Sequence, residues 1–164
     1  MRDEFYMQLA LDKAWEYQVL TYPNPAVGAV VTHNGNILAI EAHQKAGTSH
    51  AEVLALLSAY ETLSNTQIDF DPGEAKKAHT FLLALPKEFF SDCTIYVTLE
   101  PCSHEGKTPS CASLLHALEL DRVVIGIPDP IEGHDGGMKQ LKNVSLGVLE
   151  EACHDLIEPV LTWQ

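Results

Sequence analysis

A three-layer α/β/α domain with a mixed central sheet is the fold that this sequence predicts. Segments of helical and strand periodicity alternate along the chain, the pattern of a layered α/β domain. Two β-branched runs flank Asn34-Gly35, a strong hairpin signal, so at least one strand pair is antiparallel. The chain has 164 residues, 46% of them hydrophobic and 20% charged, enough to build one full-sized core.

Taken in order, residues 3–17 read as a helix with Phe5, Tyr6, Leu9 and Ala10 on its apolar side. Tyr22-Pro23-Asn24-Pro25 cannot continue it, because each proline fixes φ and removes a donor. The hairpin "AVGAVVTHNGNILAIEA" follows. Residues 49–63 return to helix, with Val53, Leu54, Leu56, Leu57 and Tyr60 near helical spacing. "TIYVTL" at 94–99 reads as a buried strand, and a short helix is expected from Pro109 to about Leu118. "RVVIGI" at 122–127 is the next strand; a last strand is expected at 143–148 and a last helix at 149–158. Residues 64–91 exceed a usual connection and carry Phe81, Leu82, Leu83, Leu85, Phe89 and Phe90, too apolar for a solvated loop. They are expected to add a helical insertion to a single domain spanning 1–164, with an oligomer contact as the alternative reading.

Net charge separates the function classes. At −13, the chain lacks the basic face that nucleic acid or an anionic membrane needs, so neither is an expected partner. A small anionic substrate held by one or two local cations remains compatible. No apolar run approaches the roughly 20 residues of a membrane helix, and "MRDEFYMQLA" lacks the apolar core of a secretory signal. The expected compartment is the cytoplasm, where cysteine pairs favour metal or redox chemistry over disulfides.

The chemistry concentrates in "LEPCSHEGKTPSC", residues 99–111. Thr108-Pro109 has the form of an N-cap followed by proline at the first helical position. Cys111 would then lie in a first helical turn, where the dipole favours a thiolate. Cys102 ends a strand, and a strand end beside a helix start can bring two thiolates onto one ion. Zinc takes such ligands, but two are not enough. Upstream, "SHAEV" offers His50 with Glu52 two residues on. Ser49 and Glu52 also have capping-box spacing, so Glu52 has a structural reading beside a catalytic one. The conjunction of His-x-Glu, Pro-Cys and a further Cys is the layout of zinc-dependent nucleobase deaminases: three ligands, a position left for water, and a carboxylate that is not a ligand.

"YPNPAVGAVV", "AHQKAGTSHAEV", "YVTLEPCSHEGKTPSCA" and "RVVIGIPDP" together resemble the pyrimidine deaminase of riboflavin biosynthesis, a cytidine-deaminase-like family with this longer cysteine spacing. The resemblance covers most of the chain outside 64–91. It implies zinc as cofactor, held by His50, Cys102 and Cys111, with Glu52 as the proton shuttle. It implies hydrolytic loss of ammonia from a diaminopyrimidinone ribosylamine 5′-phosphate, a small phosphorylated pyrimidine. Asn24 matches an asparagine near the pyrimidine edge, His43 a histidine facing the substrate, Lys107 a cation of the cysteine loop, and Asp129 the Asp of Asp-Pro-Asn-Pro. Two departures stand out: the last motif reads Asp129-Pro130-Ile131-Glu132, and "TPSC" replaces the commoner "TPPC". Family members commonly continue into an NADPH-dependent reductase domain, but no Gly-x-Gly-x-x-Gly follows a strand here, so these residues are expected to form a deaminase domain only, either excised from a longer protein or standing alone.

Two readings compete. One is a zinc deaminase of another nucleobase, nucleoside or tRNA base; the acidic charge counts against tRNA and the cysteine spacing against the others. The other is a zinc-stabilised binding module without turnover, which would need a fourth protein ligand, from His104 or Cys93.

Overall fold

The computed structural model describes residues 2–103, 110–130 and 137–163. Helix α1 (Arg2–Trp15) precedes the hairpin β1 (Gly28–His33) and β2 (Asn36–Ala42). Helices α2 (Ala51–Ser64) and α3 (Ala75–Leu83) lead to β3 (Cys93–Leu99), α4 (Cys111–Leu118) and β4 (Arg122–Ile127). A 3₁₀ helix (Gly137–Gln140), β5 (Val144–Leu146) and α5 (Glu150–Trp163) complete the order. No described helix is long and apolar enough to cross a membrane.

The strands form one sheet in the order β2-β1-β3-β4-β5. β1 is antiparallel to both β2 and β3, while β3, β4 and β5 are parallel. The sheet is therefore mixed, and Asn34-Gly35 is its hairpin turn: His33 pairs with Asn36, and both turn residues have positive φ, 50° and 81°. Those angles are the signature of a type I′ turn, which asparagine and glycine tolerate.

Every residue of β3 is buried, as in a strand covered on both faces. Side chains alternate across the pleat. Val31, Ile95, Val97 and Ile125 pack with Leu56, Leu57, Leu82 and Leu114 of α2, α3 and α4 on one side. Val30, Tyr96 and Val124 pack with Met7, Leu11, Leu156 and Ile157 of α1 and α5 on the other. Three layers result.

The face of α1 differs from the expected one. Tyr6, Met7, Ala10, Leu11 and Ala14 are buried, whereas Phe5 is 57% exposed and Leu9 only half-buried. The helix lies so close to β1 that a Cβ on Gly28 would collide with the Ala10 carbonyl. That contact turns the 7-10-11-14 stripe inward and leaves Phe5 at the rim, edge-on to Tyr6.

Between α2 and β3, α3 buries Ala78, His79 and Leu82. Phe90 is fully buried. Tyr60 of α2 stacks against Phe81 and Phe89, Phe70 against Phe81, and Phe89 against Phe90, with ring centroids 4.9–5.5 Å apart. Phe81, Leu82, Leu85, Phe89 and Phe90 thus pack on the core of their own chain, while Leu83 is exposed.

Candidate active site

The start of α2 is set by contacts far away in sequence. Ser49 donates its backbone N–H to the Gly73 carbonyl at 3.0 Å and its hydroxyl to the Pro72 carbonyl at 2.6 Å. His50 is the N-cap, with φ −74° and ψ 166° and no side-chain cap bond. The capping box expected of Ser49 and Glu52 is therefore not formed. Glu52 is the second helical residue, only 4% exposed.

The helix carrying Cys111 begins two residues later than expected. Ser110 is its N-cap, extended at φ −66° and ψ 152°, and its hydroxyl accepts the Ser113 N–H at 3.0 Å. The serine of the departing "TPSC" is thus the cap. Thr108 and Pro109, to which the sequence reading assigned the helix start, lie outside the described residues, as do Lys107, His104, Ile131 and Glu132.

β3 delivers Cys102 to the same point. His50 Nδ1 lies 3.3 Å from Cys111 Sγ and 3.9 Å from Cys102 Sγ, and the three ligand atoms fall within 4.8 Å of one another. Atoms placed tetrahedrally about 2.0–2.3 Å from a zinc ion are separated by roughly 3.3–3.8 Å; the donor set suits that metal, and the two His50–sulfur distances lie close to this spacing. All four cysteines are free thiols, which removes the disulfide reading. Cys93, at the opposite end of β3, is buried with its thiol pushed up to about 11 by desolvation, and takes no part in the cluster.

Among the protein groups alone, the Cys111 thiol beside Cys102 and the nearby His50 ring hold the Cys102 thiol well below its ordinary value. Its bond to Cys102 and its burial push Cys111 up. The Cys111 backbone N–H, in the first turn of α4, lies 3.4 Å from Cys102 Sγ and favours a thiolate there. Burial raises the Glu52 carboxyl above its usual range against the opposing pull of His50.

A cavity of about 250 Å³ opens over this cluster, lined by Asn24, Pro25, Val27, His43, His50, Glu52, Leu99, Glu100, Cys102 and Asp129. Of the sequence candidates, Asn24, His43 and Asp129 thus join His50, Glu52 and Cys102 in its wall; Cys111 sits beneath, 2% exposed. His43 is 3% exposed, and burial pushes its ring down to about 4, so it is neutral at pH 7. Its Nδ1 lies 3.1 Å from the Ser49 carbonyl, which can only accept. Nε2, 3.2 Å from Asn24 Nδ2, is then the acceptor. This chain of bonds fixes which way the Asn24 amide points. His43 lines the cavity and spends both ring nitrogens on protein groups.

Sequence reasoning passed over Glu100. It is 3% exposed, and its two oxygens accept the backbone N–H groups of Asp129 and Met138 at 2.9 and 3.0 Å. The signal available was a carboxylate directly after the uncharged strand Cys93–Leu99.

The family model described as "Cytidine and deoxycytidylate deaminase zinc-binding region" matches residues 1–127. The riboflavin biosynthesis protein RibD of Aquifex aeolicus is 38% identical over 166 residues, covering 98% of this chain and 39% of that protein. A diaminohydroxyphosphoribosylamino-pyrimidine deaminase of Buchnera aphidicola is 36% identical, covering 79% of this chain and 70% of the relative. The crystal structure of a Thermotoga maritima protein named as this deaminase joined to 5-amino-6-(5-phosphoribosylamino)uracil reductase superposes with a TM-score of 0.78 at 32% identity, covering 99% of this chain and 41% of that one. The chain thus spans about two fifths of the length of the Aquifex and Thermotoga proteins. The mixed five-stranded sheet is the cytidine-deaminase-like α/β fold, and the chain belongs to the cytidine and deoxycytidylate deaminase zinc-binding family.

Proposed function

We propose that this chain is a single deaminase domain, with α3 as an insertion, that converts 2,5-diamino-6-(5-phosphoribosylamino)pyrimidin-4(3H)-one and water into 5-amino-6-(5-phosphoribosylamino)uracil and ammonia. One observation carries the reading: His50, Cys102 and Cys111 converge within 4.8 Å beneath a cavity whose wall includes the buried Glu52. Three protein ligands leave a coordination position free, which supports catalysis over a purely structural site. His50, Cys102 and Cys111 would hold a zinc ion, which when bound would supply the Lewis acidity that makes water nucleophilic near neutral pH.

The chain's own groups do the rest. Glu52 removes a proton from the attacking water and returns it to the departing amino nitrogen, so that the carbon–nitrogen bond breaks with ammonia as leaving group. A carboxyl raised by burial, as Glu52 is, suits both halves of that transfer. Asn24, held by His43, offers its amide to the pyrimidine edge. Asp129 lies on the cavity wall to meet the ribosyl part. With a net charge of −13, the 5′-phosphate must be met by a local cation, for which Lys107 is our choice. Charge and the four free cysteines support a cytoplasmic enzyme of small molecules, with neither nucleic acid nor membrane as partner.

The test is ammonia release from the phosphorylated substrate and from its dephosphorylated form, without NADPH. Turnover of the first, far weaker turnover of the second, and a narrowed difference in Lys107→Ala support the reading. Equal activity on both would refute phosphate recognition and favour a deaminase of unphosphorylated bases or nucleosides.

A further inference from the structure

Glu100 is a buried carboxylate in the cavity wall that the proposed reaction does not use. Its surroundings assign it a different task. Oε1 accepts the Asp129 N–H at 2.9 Å, two residues past the end of β4. Oε2 accepts the Met138 N–H at 3.0 Å, at the second residue of the 3₁₀ helix. One side chain therefore ties together two stretches of backbone nine residues apart. Its own N–H donates to the Ile127 carbonyl at 2.9 Å, and the next residue, Pro101, packs so closely on Gly137 that a Cβ there would collide with the Pro101 carbonyl. The Cys102 carbonyl then accepts the Ala112 N–H at 3.0 Å. From Glu100 to Cys102 the chain is clamped between the exit of β4, the 3₁₀ helix and α4. The same tripeptide thus holds a metal-ligating thiol at one end and the backbone of Asp129 at the other.

An ionised carboxylate is suited to this because it accepts at both oxygens and donates at neither. Glutamine offers one acceptor and one NH₂, so one of the two amides would face a donor. We propose that Glu100 is a positioning residue for the substrate: by accepting the Asp129 and Met138 amides it fixes Asp129 at the cavity wall relative to Cys102, and so sets affinity for the ribosyl side of the pyrimidine. The proposal rests on the substrate reading given above.

The experiment compares zinc-loaded wild type, Glu100→Gln, Asp129→Ala and the double variant on the phosphorylated ribosylaminopyrimidine, with zinc content measured on each sample. Glu100→Gln is expected to keep its zinc, raise KM about tenfold or more and change kcat by less than about threefold. In the Asp129→Ala background the same substitution should add less than about threefold, the non-additivity of residues that act as a unit. A purely structural carboxylate would lower stability and leave KM alone; an unchanged KM, or equal factors in both backgrounds, overturns the proposal. Should Glu100→Gln fail to fold, Glu100→Asp takes its place, too short to reach both amides: a raised KM with zinc retained supports the proposal, and an unchanged KM, there or in Asp129→Ala, overturns it. If wild type does not turn over this pyrimidine, the substrate reading is what has failed. Amide exchange then decides the positioning role: loss of protection at Asp129 and Met138 in Glu100→Gln supports it, and retained protection at both overturns it.

Discussion

Replacing Glu52 by glutamine separates catalysis from helix capping. Loss of a side-chain cap costs about 0.5–2 kcal/mol, and in a domain of this size each kcal/mol moves Tm by about 2–4 °C. A capping Glu52 would therefore show as a drop of about 1–8 °C. The structure argues against any such drop: α2 has no side-chain cap bond, Ser49 spends its hydroxyl on Pro72, and Glu52 is one position short of the capping-box place. Burial also disfavours the ionised carboxyl, a penalty that a neutral amide of the same shape does not carry. Glu52→Gln should hold or raise Tm, keep its metal and leave KM little changed. Its kcat should fall by about 10²–10⁴, the usual worth of a positioned proton shuttle, equivalent to about 3–5 kcal/mol of barrier. Ammonia release under saturating substrate, differential scanning calorimetry and elemental analysis on one preparation give the three readouts. A kcat within tenfold of wild type would show that the proton is carried elsewhere, and a fall in Tm of capping size would restore the structural reading.

Protein purified without added metal should contain one zinc per chain by elemental analysis, and a strong chelator should lower Tm, because metal affinity contributes to folding; Cys102→Ser and Cys111→Ser should each reproduce the loss, and zinc retained in either would remove that residue from the ligand set. Gly28→Ala drives a methyl group into the Ala10 carbonyl, backbone against backbone, and should cost about 1–3 kcal/mol or more in urea unfolding; an unchanged midpoint would mean that α1 can move off the sheet freely. Asp3 accepts two bonds from Arg122, at 3.2 and 2.9 Å, and one from Tyr96, and the Arg122 guanidinium holds its carboxyl below the usual value of 3.8. Since the folded value is the lower one, the stabilisation is full above that usual value and disappears as pH falls through the folded value. Both side chains are about a third exposed, so Asp3→Asn should cost no more than about 1 kcal/mol at pH 7 and progressively less below pH 4; a difference that stays constant down to pH 2 would contradict the sign.

What could be read from the sequence is what local chemistry decides. Asn34-Gly35 reports its turn because few other pairs accept positive φ twice. The strand Arg122–Ile127 is continuous and apolar enough to stand out unaided. His50, Cys102 and Cys111 stood out as a set that could hold a metal ion, and they do come together, because metal ligation restricts residue type as well as spacing. The failures share one cause, a partner distant in sequence. Ser49 looks like a cap until Pro72, 23 residues on, takes its hydroxyl. Thr108-Pro109 and Ser110 both satisfy the local rules for a helix start, and the bond from Ala112 N–H to the Cys102 carbonyl belongs to the helix that Ser110 begins. Phe5 is as apolar as Met7, and only the close approach of α1 to Gly28 tells them apart. Glu100 finds its two donors 29 and 38 residues downstream.

The bonds from Ser49 to Pro72 and Gly73 bear on how small this domain can be made. The residue immediately before His50 hangs from the stretch that joins α2 to α3, by one amide and one hydroxyl bond. Trimming 64–91 to a tight loop would strip the aromatic cover from Tyr60, and it would also cut the two tethers that hold the histidine's own backbone in place. A shortened protein could retain every metal ligand and still aim one of them badly. Likewise, a chimera that borrows α2 and the cysteine segment from this chain has to borrow Pro72 and Gly73 as well, although neither residue comes near the reacting atoms in any sequence motif.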